Sequence, residues 1–136
     1  MPNWCQNKLM VRAEGKDGEL QIKAFKELAD DSNGDLKTAL SLYKLYPYPD
    51  KKWDWNWCVD NWGTKWDVQA KLVCDDVSYL SYEFDSAWSP PIEWLKYVSK
   101  EFPDLHFTLK YDEEGMGFMG VAQGQGGEIS DNCMEY

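Results

Sequence analysis

The residues best suited to chemistry in this 136-residue chain are tryptophans that lie beside small polar or charged residues. They occur in three blocks, Asn3–Cys5, Asn61–Trp66 and Trp88-Ser89. Indole rings offer flat stacking surfaces, amide and hydroxyl groups offer hydrogen bonds, and lysine offers a point charge for a phosphate or carboxylate. If the blocks converge, they would form a cleft for a planar, nucleotide-like ligand. The ligand-binding candidates are Trp4, Asn61, Trp62, Thr64, Lys65, Trp66, Trp88 and Ser89.

The same residues admit a purely structural interpretation. The tryptophans and asparagines would pin a long connection to the core, and Ser89 would cap a helix. Known phosphate-binding motifs do not decide between the two interpretations. Gly63-Thr64-Lys65 lacks the spacing of a phosphate-binding loop, and the glycines from Gly115 onward do not open a helix as a dinucleotide fingerprint would.

Catalytic and metal-binding constellations are missing from the sequence. Its one histidine, His106, alternates with apolar residues as on the outer face of a strand, and its four cysteines are far apart with no Cys-x-x-Cys pair. The paired acids Asp30-Asp31, Asp75-Asp76 and Glu113-Glu114 are typical of a turn and solvated ends. We therefore expect no cofactor and no metal, and the sequence does not favour an enzyme.

Acidic residues are concentrated in the last part of the chain. The formal net charge is −10; residues 101–136 hold eight acids and one base, a balance of −7, whereas residues 1–100 have a balance of −3. Such a surface repels phosphate backbones, which disfavours general nucleic-acid binding, and it attracts a basic partner protein. The partner-binding candidates are Asp112, Glu113 and Glu114. The alternative is that the charge only keeps the protein soluble.

Targeting signals are also missing from the sequence. The first residues contain neither a basic segment nor an apolar one, so we expect no secretory signal. Apolar stretches are too short for a membrane span of roughly 18 residues. The expected location is the cytoplasm of a bacterial host, with the cysteines as free thiols.

Periodicity predicts one α+β domain over residues 1–136, a ferredoxin-like βαββαβ sandwich with helices on one face of a mostly antiparallel sheet. Predicted strands span residues 3–13, 68–74, 80–84, 105–111 and 117–123, the last of them an extra C-terminal strand. Predicted helices span residues 19–30, 36–43 and 90–102. Residues 47–66 are predicted to form a long, tryptophan-rich connection, and residues 124–136 a loose polar tail.

Four segments carry a resemblance to a known family. Met1–Leu9, Asn61–Asp67, Ala87–Pro91 and Tyr111–Gly120 resemble the YubB-like family of ferredoxin-like proteins from plasmids and phages. The resemblance implies a ferredoxin-like fold and an origin on a mobile genetic element. It implies no particular activity and no catalytic residues.

Two functions are compatible with these observations. The first is a mobile-element accessory protein that binds and blocks a host protein, with the acidic residues imitating nucleic acid in counter-defence. The second is a protein that binds or sequesters a nucleotide-like small molecule in the tryptophan cleft.

Overall fold

Alternation of apolar and polar residues gives the strands of this chain one covered and one open face. The structure is a computed structural model that describes residues 2–136. In strand β1 (Trp4–Ala13), every second residue from Cys5 to Val11 is buried, whereas Gln6, Lys8 and Arg12 are exposed. The period-two prediction for this segment is confirmed.

The described residues form six strands and four α-helices. The elements are β1 (Trp4–Ala13), α1 (Gly18–Ala29), α2 (Leu42–Leu45), α3 (Trp55–Trp62), β2 (Lys71–Asp76), β3 (Tyr79–Ala87), α4 (Ile92–Glu101), β4 (Leu105–Glu113), β5 (Phe118–Gln125) and β6 (Glu128–Glu135), with a short 3-10 turn at Pro49–Lys51. The strand order is β2-β3-β1-β4-β5-β6, and all five pairings are antiparallel. The first four strands with α1 and α4 make the predicted βαββαβ sandwich, so the fold prediction is confirmed.

Helix α1 and helix α4 supply the apolar layer over the sheet. Phe25 of α1 lies edge-on to Phe107 of β4, with ring centroids 5.6 Å apart, and also contacts Tyr82 and Phe102 edge-on. Leu95 and Val98 of α4 are fully buried. Full burial of side chains of this size contributes about 1.5–3 kcal/mol each, which makes this layer the main source of stability.

The predicted second helix is misplaced. Residues 36–40 are not helical, and α2 begins only at Leu42, where the Ser41 side chain caps it. Tertiary hydrogen bonds override the local pattern: Thr38 Oγ1 accepts from the backbone N–H of Ala70, and the N–H of Ala39 donates to the Ala70 carbonyl. These bonds hold the segment extended beside the residues that lead into β2.

The tryptophan-rich connection contains a helix that the prediction missed. Asp54 caps the N-terminus of α3 by accepting a hydrogen bond from the Trp57 N–H at 3.2 Å. Gly63 ends α3 in the left-handed conformation, with φ of 86°. Cys58 and Trp62, four residues apart on one face, are buried against the domain.

The predicted loose tail is wrong. Residues 124–136 instead complete β5 and form β6, which pairs with β5 without interruption from Gln125↔Glu128 to Phe118↔Glu135. Gly126 and Gly127 have φ of 61° and 87°, the positive values that a two-residue hairpin turn requires. The sheet therefore extends by two strands past the ferredoxin-like core.

Candidate functional site

The structure brings the three tryptophan blocks together at one end of the sheet. Trp4 pairs with Ala87 in the β1–β3 ladder, and the Trp88 N–H donates to the Asn3 carbonyl at 2.8 Å. Thr64 follows α3 and donates its hydroxyl to the Ala87 carbonyl at 2.9 Å. Residues far apart in sequence therefore meet where β1 begins and β3 ends.

Four of the predicted ligand-binding residues are used inside the protein. Trp62 is 0% exposed and donates its Nε1–H to the Tyr46 carbonyl at 2.9 Å. Asn61 accepts from the Tyr46 hydroxyl, Thr64 is buried, and Ser89 Oγ donates to the Gly63 carbonyl. Trp62 and Thr64 are buried, so the prediction that these two line an open cleft is wrong. Asn61 and Ser89 are half-buried, and their hydrogen bonds hold the 47–66 connection and the turn after β3 in place.

Trp4 and Trp66 remain exposed and line a groove, with the half-buried Lys65 beside them. The indoles of Trp4 and Trp66 are 49% and 39% exposed, with ring centroids 6.2 Å apart and planes tilted by 40°. The Lys65 ammonium lies 4.2 Å from the centroid of Trp66, which is a cation–π contact. Beside the two rings is a groove of about 530 Å³, which Leu36 and Asp85 also line.

Trp88 lies outside this groove and has an unusual backbone. Its φ is 69°, a region that bulky L-residues rarely occupy and that costs of order 1–3 kcal/mol. The conformation persists because the flanking groups are tied: the Ser89 N–H donates to the Ala87 carbonyl, and Ser86 Oγ donates to the Ser89 carbonyl at 2.6 Å. The indole is 43% exposed as a result.

A buried polar network under β1 was not predicted. Asn7 donates through Nδ2 to Ser86 Oγ at 2.9 Å and to the Cys5 carbonyl at 3.0 Å. Its Oδ1 is buried and has no hydrogen-bond partner among residues 2–136. Burial raises the pKa of the neighbouring Cys5 thiol to about 12, so this cysteine is a poor nucleophile. An asparagine within the apolar stripe of Cys5, Leu9 and Val11 was the available sequence signal.

The three predicted partner-binding acids have different environments. Glu114 is exposed, and Asp112 is half-buried and accepts a hydrogen bond from the Tyr136 hydroxyl. That bond raises the pKa of Tyr136 to about 12. Glu113 is 0% exposed, and its carboxylate accepts from the N–H groups of Gly115 at 2.8 Å and Met116 at 3.1 Å. The expectation that Glu113 lies on the surface is therefore wrong.

Exposed apolar side chains accompany the acids at this end of the sheet. The strand registers place Asp112, Met119 and Met134 side by side on the open face, across β4, β5 and β6. Tyr136 is exposed beside them. We name Asp112, Glu114, Met119, Met134 and Tyr136 the acidic end surface.

The sequence of this chain matches the family model described as the ferredoxin-like domain in Api92-like protein, over residues 61–136. The chain belongs to this Api92-like family. The crystal structure of a protein api92 from Yersinia pseudotuberculosis has a TM-score of 0.64 to this chain at 12% identity, and the alignment covers 100% of this chain and 98% of that one. At this identity the likeness shows the fold alone. No curated protein matches the sequence.

Family membership confirms the ferredoxin-like domain that the sequence resemblance implied. The part matched to the Api92-like model contains β2 to β6, and it includes both the acidic end surface and Trp66 of the groove. Trp4, which completes the groove, precedes the matched part.

Two kinds of feature are absent from the described part of this Api92-like chain. Across residues 2–136 no group of three or more His, Cys, Asp or Glu side chains is placed to hold a metal ion. In the same residues no helix is long and apolar enough to cross a membrane. The open surface offers aromatic faces, carboxylates, methionines and the ammonium groups of Lys8 and Lys110.

Proposed function

We propose that this protein is an accessory protein of a phage or plasmid that binds a basic host protein and blocks it. Its docking site for that host protein is the acidic end surface. The observation that carries the proposal is the composition of that surface. Residues 111–136 contain six acids and no lysine or arginine, and exposed methionine and tyrosine side chains lie among those acids.

This combination suits protein recognition. Carboxylates on one surface steer a positively charged partner and select against acidic ones. Methionine and tyrosine supply apolar contact area that charge alone does not, and both are enriched in the buried centres of interfaces. A host protein with a basic nucleic-acid groove has the complementary chemistry, which supports the mimic form of the proposal.

A pull-down with paired variants tests the proposal. Tagged protein is incubated with nuclease-treated bacterial lysate, and bound proteins are quantified at low and at high salt. The double substitution Asp112→Asn with Glu114→Gln removes two charges from the surface. Glu27→Gln is the matched control, because Glu27 is exposed on α1, away from the acidic end surface.

We expect one host protein in near-equal amount with the bait, and its recovery should fall at high salt because screening weakens exposed charge pairs. The double variant should lose that protein and Glu27→Gln should retain it. Equal recovery by the double variant and the control would overturn the proposal.

A second candidate function, small-ligand binding, is favoured by the Trp4–Trp66 groove. Its volume of about 530 Å³ lies within the range of small-molecule sites, roughly 300–1,000 Å³. Lys65 beside the rings would suit the phosphate of a nucleotide-like ligand. Titration of nucleotides against tryptophan fluorescence tests this function. Trp66→Phe should abolish the fluorescence change that a nucleotide causes. Trp55→Phe is the control, because it removes an exposed indole of α3 and should leave that change intact. A fluorescence change that persists in both variants would exclude the groove as the binding site.

A further inference from the structure

Strand β6 is an open edge of the sheet. It is the last strand in the order β2-β3-β1-β4-β5-β6 and pairs only with β5 among the described residues. Seven of its eight residues are exposed. The outer side of β6 therefore presents a row of backbone N–H and C=O groups that no strand in residues 2–136 covers.

Strand β6 lacks the bulge, the proline and the lysine that commonly protect an edge strand. Edge strands are commonly shortened, bulged, or interrupted by lysine or proline, which prevents another chain from pairing with them. β6 has eight residues, an unbroken register with β5, and neither lysine nor proline. The opposite edge, β2, has six residues, begins with Lys71 and has an irregular register between Leu72 and Cys74. Of the two edges, β6 is the one built to accept a partner strand.

The hydrogen-bond pattern shows which backbone groups of β6 face outward. The Tyr136 N–H donates to the Gly117 carbonyl at 2.8 Å, which makes that pair a hydrogen-bonded one. Hydrogen-bonded and non-hydrogen-bonded pairs alternate along an antiparallel ladder. The residues whose N–H and C=O groups point away from β5 are therefore Ile129, Asp131, Cys133 and Glu135.

We propose that β6 binds an extended, lysine- or arginine-rich segment of a partner protein as a seventh strand of the sheet. The charges of β6 select this occupant, because all of its charged side chains, Glu128, Asp131 and Glu135, are acidic. A second copy of the chain fits poorly, because it would bring a strand with the same three carboxylates, Glu128, Asp131 and Glu135, against this one. The proposal rests on the proposed function and specifies how the basic partner is held.

The test uses a ten-residue peptide that alternates lysine with threonine and valine, labelled for fluorescence anisotropy. Two control peptides accompany it: one with glutamate in place of lysine, and one N-methylated at alternate residues so that its backbone cannot pair. Cys133→Pro removes an outward N–H without removing a bond to β5, and Cys133→Ser is the matched control.

We expect the lysine peptide to bind and both control peptides to bind at least about tenfold more weakly, which corresponds to about 1.4 kcal/mol. Cys133→Pro should lose binding relative to Cys133→Ser. Hydrogen exchange on the unaltered protein gives a second measurement that needs no substitution. The peptide should slow exchange at the N–H groups of Asp131 and Cys133 more than at Asn132, which β5 already protects.

The outcomes distinguish binding by strand pairing at the edge of β6 from binding by the acidic end surface in general. Peptide binding that is equal in Cys133→Pro and Cys133→Ser, with no added protection at Asp131, refutes strand pairing. If that binding is nevertheless lost in the Asp112→Asn and Glu114→Gln variant, the proposed function survives and only the edge inference fails. If the lysine and glutamate peptides bind equally, the selection of a basic occupant is refuted.

Discussion

Glu113 and Glu114 are adjacent in sequence, and the structure predicts opposite consequences for the same substitution. The Glu113 carboxylate is fully buried and bonded to the N–H groups of Gly115 and Met116, which shapes the turn between β4 and β5. Glu114 is exposed. We expect Glu113→Gln to lower stability and leave partner binding intact in the folded fraction, and Glu114→Gln to do the reverse.

The size of the stability effect follows from the lost bonds. A hydrogen bond to a charged group contributes about 1.5–3 kcal/mol. Glutamine keeps one acceptor oxygen but turns its NH₂ group toward the second amide, so one bond is lost and one N–H is left unpaired. Removing a buried charge offsets part of that loss, leaving about 2 kcal/mol. With an unfolding entropy of about 2.1 cal/mol/K per residue, a chain of this length should lose about 7 °C in Tm. Exposed Glu114→Gln should change stability by less than about 0.5 kcal/mol.

Urea denaturation of the two variants, followed by circular dichroism, gives the free energies of unfolding, and thermal melts give Tm. Binding is measured on the same preparations with the partner from the pull-down. The reasoning is refuted if Glu113→Gln is as stable as the unaltered protein, or if Glu114→Gln destabilises by a similar amount.

Three further predictions concern the sheet, the buried thiol and the connection. Gly120→Ala should destabilise by about 1–3 kcal/mol in thermal melts, because a Cβ there would lie 2.6 Å from the Asn132 carbonyl oxygen and would also collide with the Tyr111 ring. The pKa of Cys5 is raised from 9.0 to about 12, so its contribution to stability is complete below pH 9 and is lost as pH rises toward 12. In Cys5→Ala the free energy of unfolding should therefore fall less steeply with pH over this range. An unchanged slope would contradict the prediction. Thr64→Val should cost about 0.5–1.5 kcal/mol, because it removes one of the two hydrogen bonds to the Ala87 carbonyl and leaves the one from the Ser89 N–H, while any ligand response of the groove persists. A stable variant that loses the response would place Thr64 in the ligand site instead.

The sequence predicted the core of the fold because that core has strong periodicity. Leu105, Phe107 and Leu109 alternate with polar residues in β4, and all three are buried against the helices. Helix α4 was equally predictable from the sequence, because Pro90-Pro91 precede it and Leu95 and Val98 lie on one face. Both elements have one apolar side, and that is the only feature a periodicity argument detects.

Strand β6 was missed for the same physical reason. It is exposed on both faces, so its sequence contains no alternation of apolar and polar residues to detect. Gly124, Gly126 and Gly127 favoured a loose tail, although two of them form the hairpin turn and Gly124 makes room for Ile129. In α3 the missed signals were the capping residues Asp54 and Gly63, which flank the eight helical residues on either side.

The candidate site was predictable only as a set of neighbouring segments. Convergence of the tryptophan blocks depends on the β1–β3 register, and side-chain direction depends on hydrogen bonds that sequence spacing does not determine. Trp62 and Trp66 are four residues apart, yet α3 ends at Gly63 between them and leaves the first ring buried and the second exposed. Residue type suggested a stacking surface at both positions. The end of the helix decides that Trp62 packs inside the protein and that Trp66 is open to a ligand.

The placement of the acids suggests why the sheet is extended past its ferredoxin-like core. Helices α1 and α4 stabilise the first four strands through buried apolar side chains, whereas β6 adds almost no buried apolar area. Backbone pairing holds β5 and β6 to the sheet, helped by Ala122, Phe118 and Ile129, which pack on the core. The Tyr111 hydroxyl also donates to Asp131 at 2.6 Å, across Gly120. Because an exposed, acidic hairpin contributes little to the core, its surface is free to vary with a partner. Residues that serve docking at β6 and the acidic end surface can therefore change without altering the buried residues that stabilise the domain.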